Sequence, residues 1–207
     1  EGELGDEILD SIREDTGFQL LGQMYRGARV LNTQRPVAEL ADTQGLKLRV
    51  PTQQTYLDTW ESLGASPTPL ALSEVFTAIE QGAVEGQENP IDVVRFNSFY
   101  EVAPNVTLTN HIYGNFHFQV WAETYQGWPA ELRDIVDADV ADVSDWYEQT
   151  SIEERDANIA FLEENGVEFH EIDRAEWADA TSDVLEHVDP QVVEWVEKIR
   201  ASAEARG

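Results

Sequence analysis

Short extended runs, each halted by proline or glycine, alternate with helical runs through the first half of the chain. This alternation restricts the fold more than any other feature. Leu46 to Val50 alternates apolar and polar residues strictly and stops at Pro51. That is the pattern of a half-buried strand ended by a residue with no backbone donor. Gln53 to Leu63 follows with helical spacing and closes at Gly64, because glycine enters the left-handed region at a helix end without penalty. Pro67 and Pro69 force Ser66 to Leu70 to be extended. Ser73 is placed to cap a helix running to Gln81 and closing at Gly82, and Val84 to Glu88 reads as another extended piece. Asn89-Pro90 reads as a helix start, with asparagine as cap and proline at the first helical position. Upstream, Leu4, Ile8, Leu9 and Ile12 share one face of a helix over 3–16 that ends at Gly17. Phe18 to Tyr25 and Arg29 to Thr33 read as two strands, Asp42 to Gly45 as a turn, and residues 106–121 as one or two strands. Strands alternating with helices imply an α/β fold.

The character changes after Pro129. Ala130 to Asn165 keeps helical periodicity until Gly166, Val167 to Ile172 is a strand candidate, and helices near 174–186 and 190–205 complete a helical wrap. Trp121, Trp128, Trp146, Trp177 and Trp195 fall mostly on helical apolar faces, where core packing is the expected role. Apolar residues make up 42% of the chain, enough for a real core and too many for a disordered segment. No apolar run approaches the roughly 18 residues needed to cross a bilayer.

Charge narrows the function classes. The chain has 41 acidic residues against 13 basic and a net charge of −28, spread along its whole length. Such a chain repels nucleic acid and anionic lipid surfaces. The acid serves either as a solubilising surface or as the surface of a protein kept in high salt, where screening tolerates self-repulsion. The second reading is favoured. Zero cysteines exclude disulfides and thiolate chemistry. There is no glycine-rich phosphate loop and no nucleophile elbow. His111 and His117 lack a third ligand at a recognisable spacing, so they read as structural and not as a metal site. Carboxylate pairs are too abundant to single out a catalytic one. No cofactor, metal or catalytic group is therefore assigned.

Three segments carry a family likeness. Asp42 to Pro51 reads Asp-x-x-Gly-Leu-Lys-Leu-Arg-Val-Pro, Gly64 to Val75 reads Gly-Ala-Ser-Pro-Thr-Pro-Leu-Ala-Leu-Ser-Glu-Val, and Gln81 to Pro90 reads Gln-Gly-Ala-Val-Glu-Gly-Gln-Glu-Asn-Pro. Phe99-Tyr100-Glu101-Val102 and Thr109-Asn110-His111 follow in order. Together they resemble the DctP-type family of TRAP (tripartite ATP-independent periplasmic) solute-binding proteins. The resemblance implies a periplasmic-binding-protein-like α/β fold of two domains with a long domain-spanning helix. On that pattern, residues 1–24 end a first domain whose remainder precedes this chain, along with a signal peptide. Residues 25–115 form the ligand-anchoring second domain. Residues 116–207 supply a crossing strand, the spanning helix and C-terminal helices packing on both domains.

The family's anchor arginine corresponds to Arg49. A guanidinium offers a planar fork of donors that matches a carboxylate. Periodicity alone would read Lys47 and Arg49 as the solvent face of an amphipathic strand. The family's asparagine corresponds to Asn89, which is also a good helix cap whatever its function. Arg29 corresponds to a second arginine of some members, and Glu88, Leu72 and Thr52 to cleft-lining positions that vary with ligand. The implied function is extracytoplasmic, periplasmic capture of a small organic acid (a dicarboxylate, sugar acid or related carboxylate). A monomer would deliver it to the small and large membrane subunits of a TRAP transporter, with no chemical step. Two rivals stand beside it: an enzyme acting on an acidic sugar with Glu88 as a catalytic carboxylate, and a ligand-sensing module of a receptor.

Overall fold

The structure is a computed structural model and describes residues 2–206. The order is α1 (Glu3–Thr16), β1 (Phe18–Thr33), β2 (Lys47–Val50), α2 (Gln54–Ser62), β3 (Ser66–Pro69), α3 (Val75–Glu80), β4 (Gly86–Pro90), α4 (Ile91–Phe96) and α5 (Phe99–Val102). Then come β5 (Asn105–Thr107), β6 (Tyr113–Trp121), α6 (Ala122–Gly127), α7 (Ala130–Glu164), β7 (Glu168–His170), α8 (Arg174–Ala180) and α9 (Pro190–Arg206). The chain groups into two units: residues up to Tyr25 with Asn115–Thr150 and those from Val188 onward, and Arg26–Gly114 with Ser151–His187.

In the first unit α1 ends as the sequence predicts. Gly17 takes φ 75° and its N–H returns to Arg13 O at 2.9 Å. A side chain at Gly17 is excluded twice, since a Cβ would also lie 2.6 Å from the Trp121 ring. Trp121 packs edge-on to Phe18 and is 47% exposed, and Trp146 is 63% exposed. Both depart from the expected core role, because each ring lies on a face that the described residues do not cover. Helix α9 meets α1 through polar contacts: Gln191 Nε2 donates to Asp15 Oδ2 at 2.9 Å, and Lys198 pairs with Glu7 at 3.2 Å.

The two strands expected before Gln34 are one strand of 16 residues, β1. Gly22 and Gly27, at φ 62° and 95°, bend it without ending its pairing. Those bends blur the alternation that a sequence reading depends on.

The second unit is built on a mixed sheet in the order β3-β2-β4-β1-β5-β7. β2 runs parallel to β3 and β4, β1 runs antiparallel to β4 and β5, and β7 lies parallel to β5. The pleat sends successive residues to opposite faces. Accordingly Val30 enters a core with Ile79, Phe99, Val106 and Leu162, while Leu31 enters another with Leu48, Val50, Trp60 and Trp177. A sheet with apolar helices over both faces is an α/β layer structure.

Three local expectations change here. A 3-10 turn at Leu72–Glu74 precedes α3, and the Ala71 N–H is taken by the Glu74 carboxylate at 3.1 Å, so Ser73 is not the cap. The helix expected over 174–186 stops at Ala180, where the Thr181 hydroxyl bonds back to Trp177 O and Ala178 O, and a 3-10 segment continues to His187. Asn89-Pro90 belongs to β4. The cap of α4 is Pro90, and no side chain caps that helix. At the Leu40–Thr43 turn, backbone N–H groups of Ala38 and Glu39 donate to Asp42 and hold its carboxyl below the usual carboxylate range.

With 41 acids against 13 bases, most carboxylates have no cation to pair with. The melting temperature of the full-length gene product is therefore expected to rise between near-physiological and molar sodium chloride, as screening shortens from about 8 Å to about 3 Å. A flat or falling midpoint would exclude self-repulsion as a main destabilising force and with it the high-salt reading.

Candidate anion-anchoring site

Strand β4 lies between β2 and β1 with helices over both faces, a position that normally reads apolar. It carries Gln87, Glu88 and Asn89 instead, all buried. Buried polar groups require partners, and these three have them on two faces.

Pairing across β1 and β4 sets Leu31 opposite Glu88, Asn32 opposite Gln87 and Val30 opposite Asn89. Gln87, Asn89 and Asn32 thus share one face, and their amides form a relay. Asn32 Nδ2 donates to Ala103 O at 2.6 Å and Asn105 O at 3.0 Å, Gln87 Nε2 donates to Asn32 Oδ1 at 3.2 Å, and Asn89 Nδ2 donates to Gln87 Oε1 at 2.6 Å.

On the other face Arg29 grips Glu88. Its Nε donates to Oε2 at 2.5 Å and its Nη2 to Oε1 at 2.8 Å, the side-on bidentate geometry of a strong charge-assisted pair. Nη2 also reaches Glu88 O at 2.7 Å and Asn89 Oδ1 at 3.0 Å, which ties the two faces together at the strand end. The guanidinium lies 5.3 Å from the Tyr56 ring centroid. His111 supports the same carboxylate, with Nε2 3.1 Å from Glu88 Oε2 and Nδ1 2.8 Å from the Thr109 hydroxyl. A proton on Nε2 donated to Glu88 and a bond between Nδ1 and the Thr109 hydroxyl satisfy both contacts. The ring also stacks edge-on against Trp60 at 5.2 Å.

Arg49 lies on β2, in register with Gln87 of β4. Its Nε and Nη2 both converge on the carbonyl of Leu70, at 2.9 and 2.7 Å. That contact fixes the plane of the guanidinium and uses its side edge. The end edge, formed by Nη1 and the second proton of Nη2, has no hydrogen-bond partner among the described residues. Arg49 is 5% exposed and forms no ion pair among the described residues. Burial pushes its pKa down from the usual arginine range, against the attraction of Glu88 and with a smaller push from the neighbouring Arg29 charge.

Of the residues singled out from sequence, Arg29, Glu88 and Asn89 form one network, and Arg49 adjoins it on the neighbouring strand. Leu72 and Thr52 are exposed on the segments after β3 and β2 and make no hydrogen bond to that network. Sequence reasoning missed the amide relay of Asn32 and Gln87, the cation–π shelf of Tyr56, and His111 as a partner of Glu88. Three consecutive polar residues between two strand signals were the available cue. Among the described residues no cluster of three His, Asp or Glu side chains could hold a metal, and no helix is long and apolar enough to cross a membrane. The arrangement presents a rigid, buried donor fork to which no carboxylate among the described residues is hydrogen-bonded.

A family model described as bacterial extracellular solute-binding protein, family 7 (DctP), matches residues 1–191. A solute-binding protein of Roseobacter denitrificans is 33% identical over 199 residues, 96% of this chain and 61% of its own. The sialic acid-binding periplasmic protein of Vibrio cholerae is 32% identical over 167 residues, 81% of this chain and 52% of its own. The crystal structure of a TRAP periplasmic solute binding protein from Roseobacter denitrificans with bound L-galactonate superposes at a TM-score of 0.84 and 33% identity, covering 95% of this chain and 66% of that one. This chain therefore spans less than two thirds of the length of these relatives.

Proposed function

Because the chain belongs to the DctP family of bacterial extracellular solute-binding proteins, we propose that the full-length protein captures a hydroxylated carboxylic acid outside the cytoplasm, with Arg49 as the anchor. In this reading the sugar acid is handed to the small and large membrane subunits of a TRAP transporter, and no bond in it is made or broken. The observation that carries the proposal is the open end edge of Arg49. A buried cation without a counter-charge is expensive, and unpaired charge held in place by a rigid strand is the mark of a site awaiting a ligand. A ligand carboxylate would accept two parallel hydrogen bonds from that edge. The ligands of two relatives, L-galactonate and sialic acid, point to sugar acids as the class to test first.

The rival reading used Glu88 as a catalytic acid or base. Both its oxygens are engaged by Arg29, one is shared with His111, and the side chain is fully buried. It is poorly placed to exchange a proton with a substrate.

The test is a titration panel of aldonates, uronates, sialic acid and C4-dicarboxylates against the full-length gene product, followed by recovery of the ligand. The expected result is binding of at least one hydroxylated acid at about micromolar affinity or tighter, near −8 kcal/mol, with the ligand recovered unchanged. Chemical conversion of the ligand would move the protein to the enzyme class.

A further inference from the structure

The cluster contains two guanidiniums and one carboxylate, and they are not equivalent. Glu88 holds Arg29 through both side-edge donors, while Nη2 of Arg29 is further occupied by Asn89 and the Glu88 carbonyl. Arg29 is therefore neutralised within the protein and offers an incoming ligand only Nη1. Arg49 keeps its whole end edge open. Of the two guanidiniums and the one carboxylate, Arg49 therefore carries the charge that no carboxylate of the cluster holds.

We infer that this site selects ligands with one carboxylate. Arg49 neutralises that carboxylate, and Glu88, by engaging Arg29, withholds the second positive charge that a dicarboxylate would need. The inference rests on the reading of Arg49 as the anchor. Specificity here comes from a built-in repulsive element as much as from the attractive one: a second carboxylate would be desolvated beside a cluster whose own carboxylate has already taken the other cation. The protein's net charge of −28 adds to this, since its field opposes a dianion more than a monoanion.

The minimal ligand pair is L-galactonate and galactarate, which differ in one terminal carboxylate. A second pair is D-gluconate and D-glucarate, and the monoamide of galactaric acid keeps the galactarate skeleton while removing one charge. In calorimetric titration of the full-length gene product, the aldonates and the monoamide are expected to bind at least about tenfold tighter than the aldarates, or about 1.4 kcal/mol. Glu88→Gln keeps an acceptor for Arg29 and removes the negative charge, so the preference should shift several-fold toward the aldarates. Aldarates binding as tightly as the aldonates would overturn the inference and leave the Arg49 anchor intact. So would an unchanged preference in a Glu88→Gln protein that melts cooperatively. Should that variant not fold, the monoamide comparison decides on the unaltered protein. Failure of every acid to bind would overturn the anchor and the inference together.

Discussion

Arg49→Ala is expected to abolish ligand binding while leaving the fold as stable as before or slightly more so. The two halves of this expectation come from the same geometry. Truncating one partner of a buried charge-assisted pair removes about 2–5 kcal/mol of binding, which is a loss of about thirtyfold or more in affinity. A residue that holds a fold together loses stability when it is cut back. Arg49 is buried at 5% exposure and, among the described residues, has no carboxylate partner and bonds through its side chain to the Leu70 carbonyl alone. Removing it relieves the desolvation of an unpaired cation and forfeits little beyond that one carbonyl contact and some packing. Arg49→Lys should also damage binding, because an ammonium cannot hold Leu70 with one edge and present a planar fork with another. Calorimetry together with thermal melting separates the effects. Unchanged affinity for the alanine variant would remove Arg49 from the anchor role. A large drop in melting temperature would mean that its burial is structural.

The parts of this protein that a sequence reading reached are those where local pattern and tertiary environment agree. β2 is visible because it alternates and ends at Pro51, and its neighbour β3 because Pro67 and Pro69 allow nothing but extended backbone. α1 is visible because its apolar stripe ends at a glycine. Disagreement between levels hid the rest. Asn89-Pro90 satisfies the local rule for a helix start, but pairing of Asn89 with Val30 across the sheet carries β4 one step further than the rule allows. β4 itself has no strand signature, because its side chains were chosen for a buried polar network and not for a core. Such mismatches are expected at functional sites. The role of Arg49 was never legible in periodicity, which made it a solvent-facing residue of an amphipathic strand. The anchor role proposed for it comes from the family resemblance, and the fixed plane of its guanidinium from the Leu70 carbonyl, which only the folded chain supplies. His111 was read as structural. Its contact with Glu88 depends on a residue distant in sequence, which no local spacing could reveal.

Glu88 should prove the most sensitive position for stability in the second unit. It is fully buried and its two oxygens satisfy Arg29 and His111. Glu88→Ala would leave the Arg29 guanidinium, itself buried at 8% exposure, without its counter-charge. Breaking a buried pair from one side costs about 3–5 kcal/mol, which for a domain of this size lowers the melting temperature by about 10 °C. The pair as a whole is worth much less than that, because forming it required both charges to leave water. The double variant Arg29→Met/Glu88→Leu, which replaces both charges with apolar groups of similar bulk, should therefore recover a large part of the loss. Urea unfolding of the full-length gene product, the single variants Arg29→Met and Glu88→Leu, and the double variant closes the cycle, with an expected coupling of about 1–3 kcal/mol. A Glu88→Ala protein within about 1 kcal/mol of the original would show that Arg29 finds water or another acceptor when its partner is gone. In that case Glu88 would not be what compensates the Arg29 charge, and the charge selectivity assigned to the site would lose its physical basis as well.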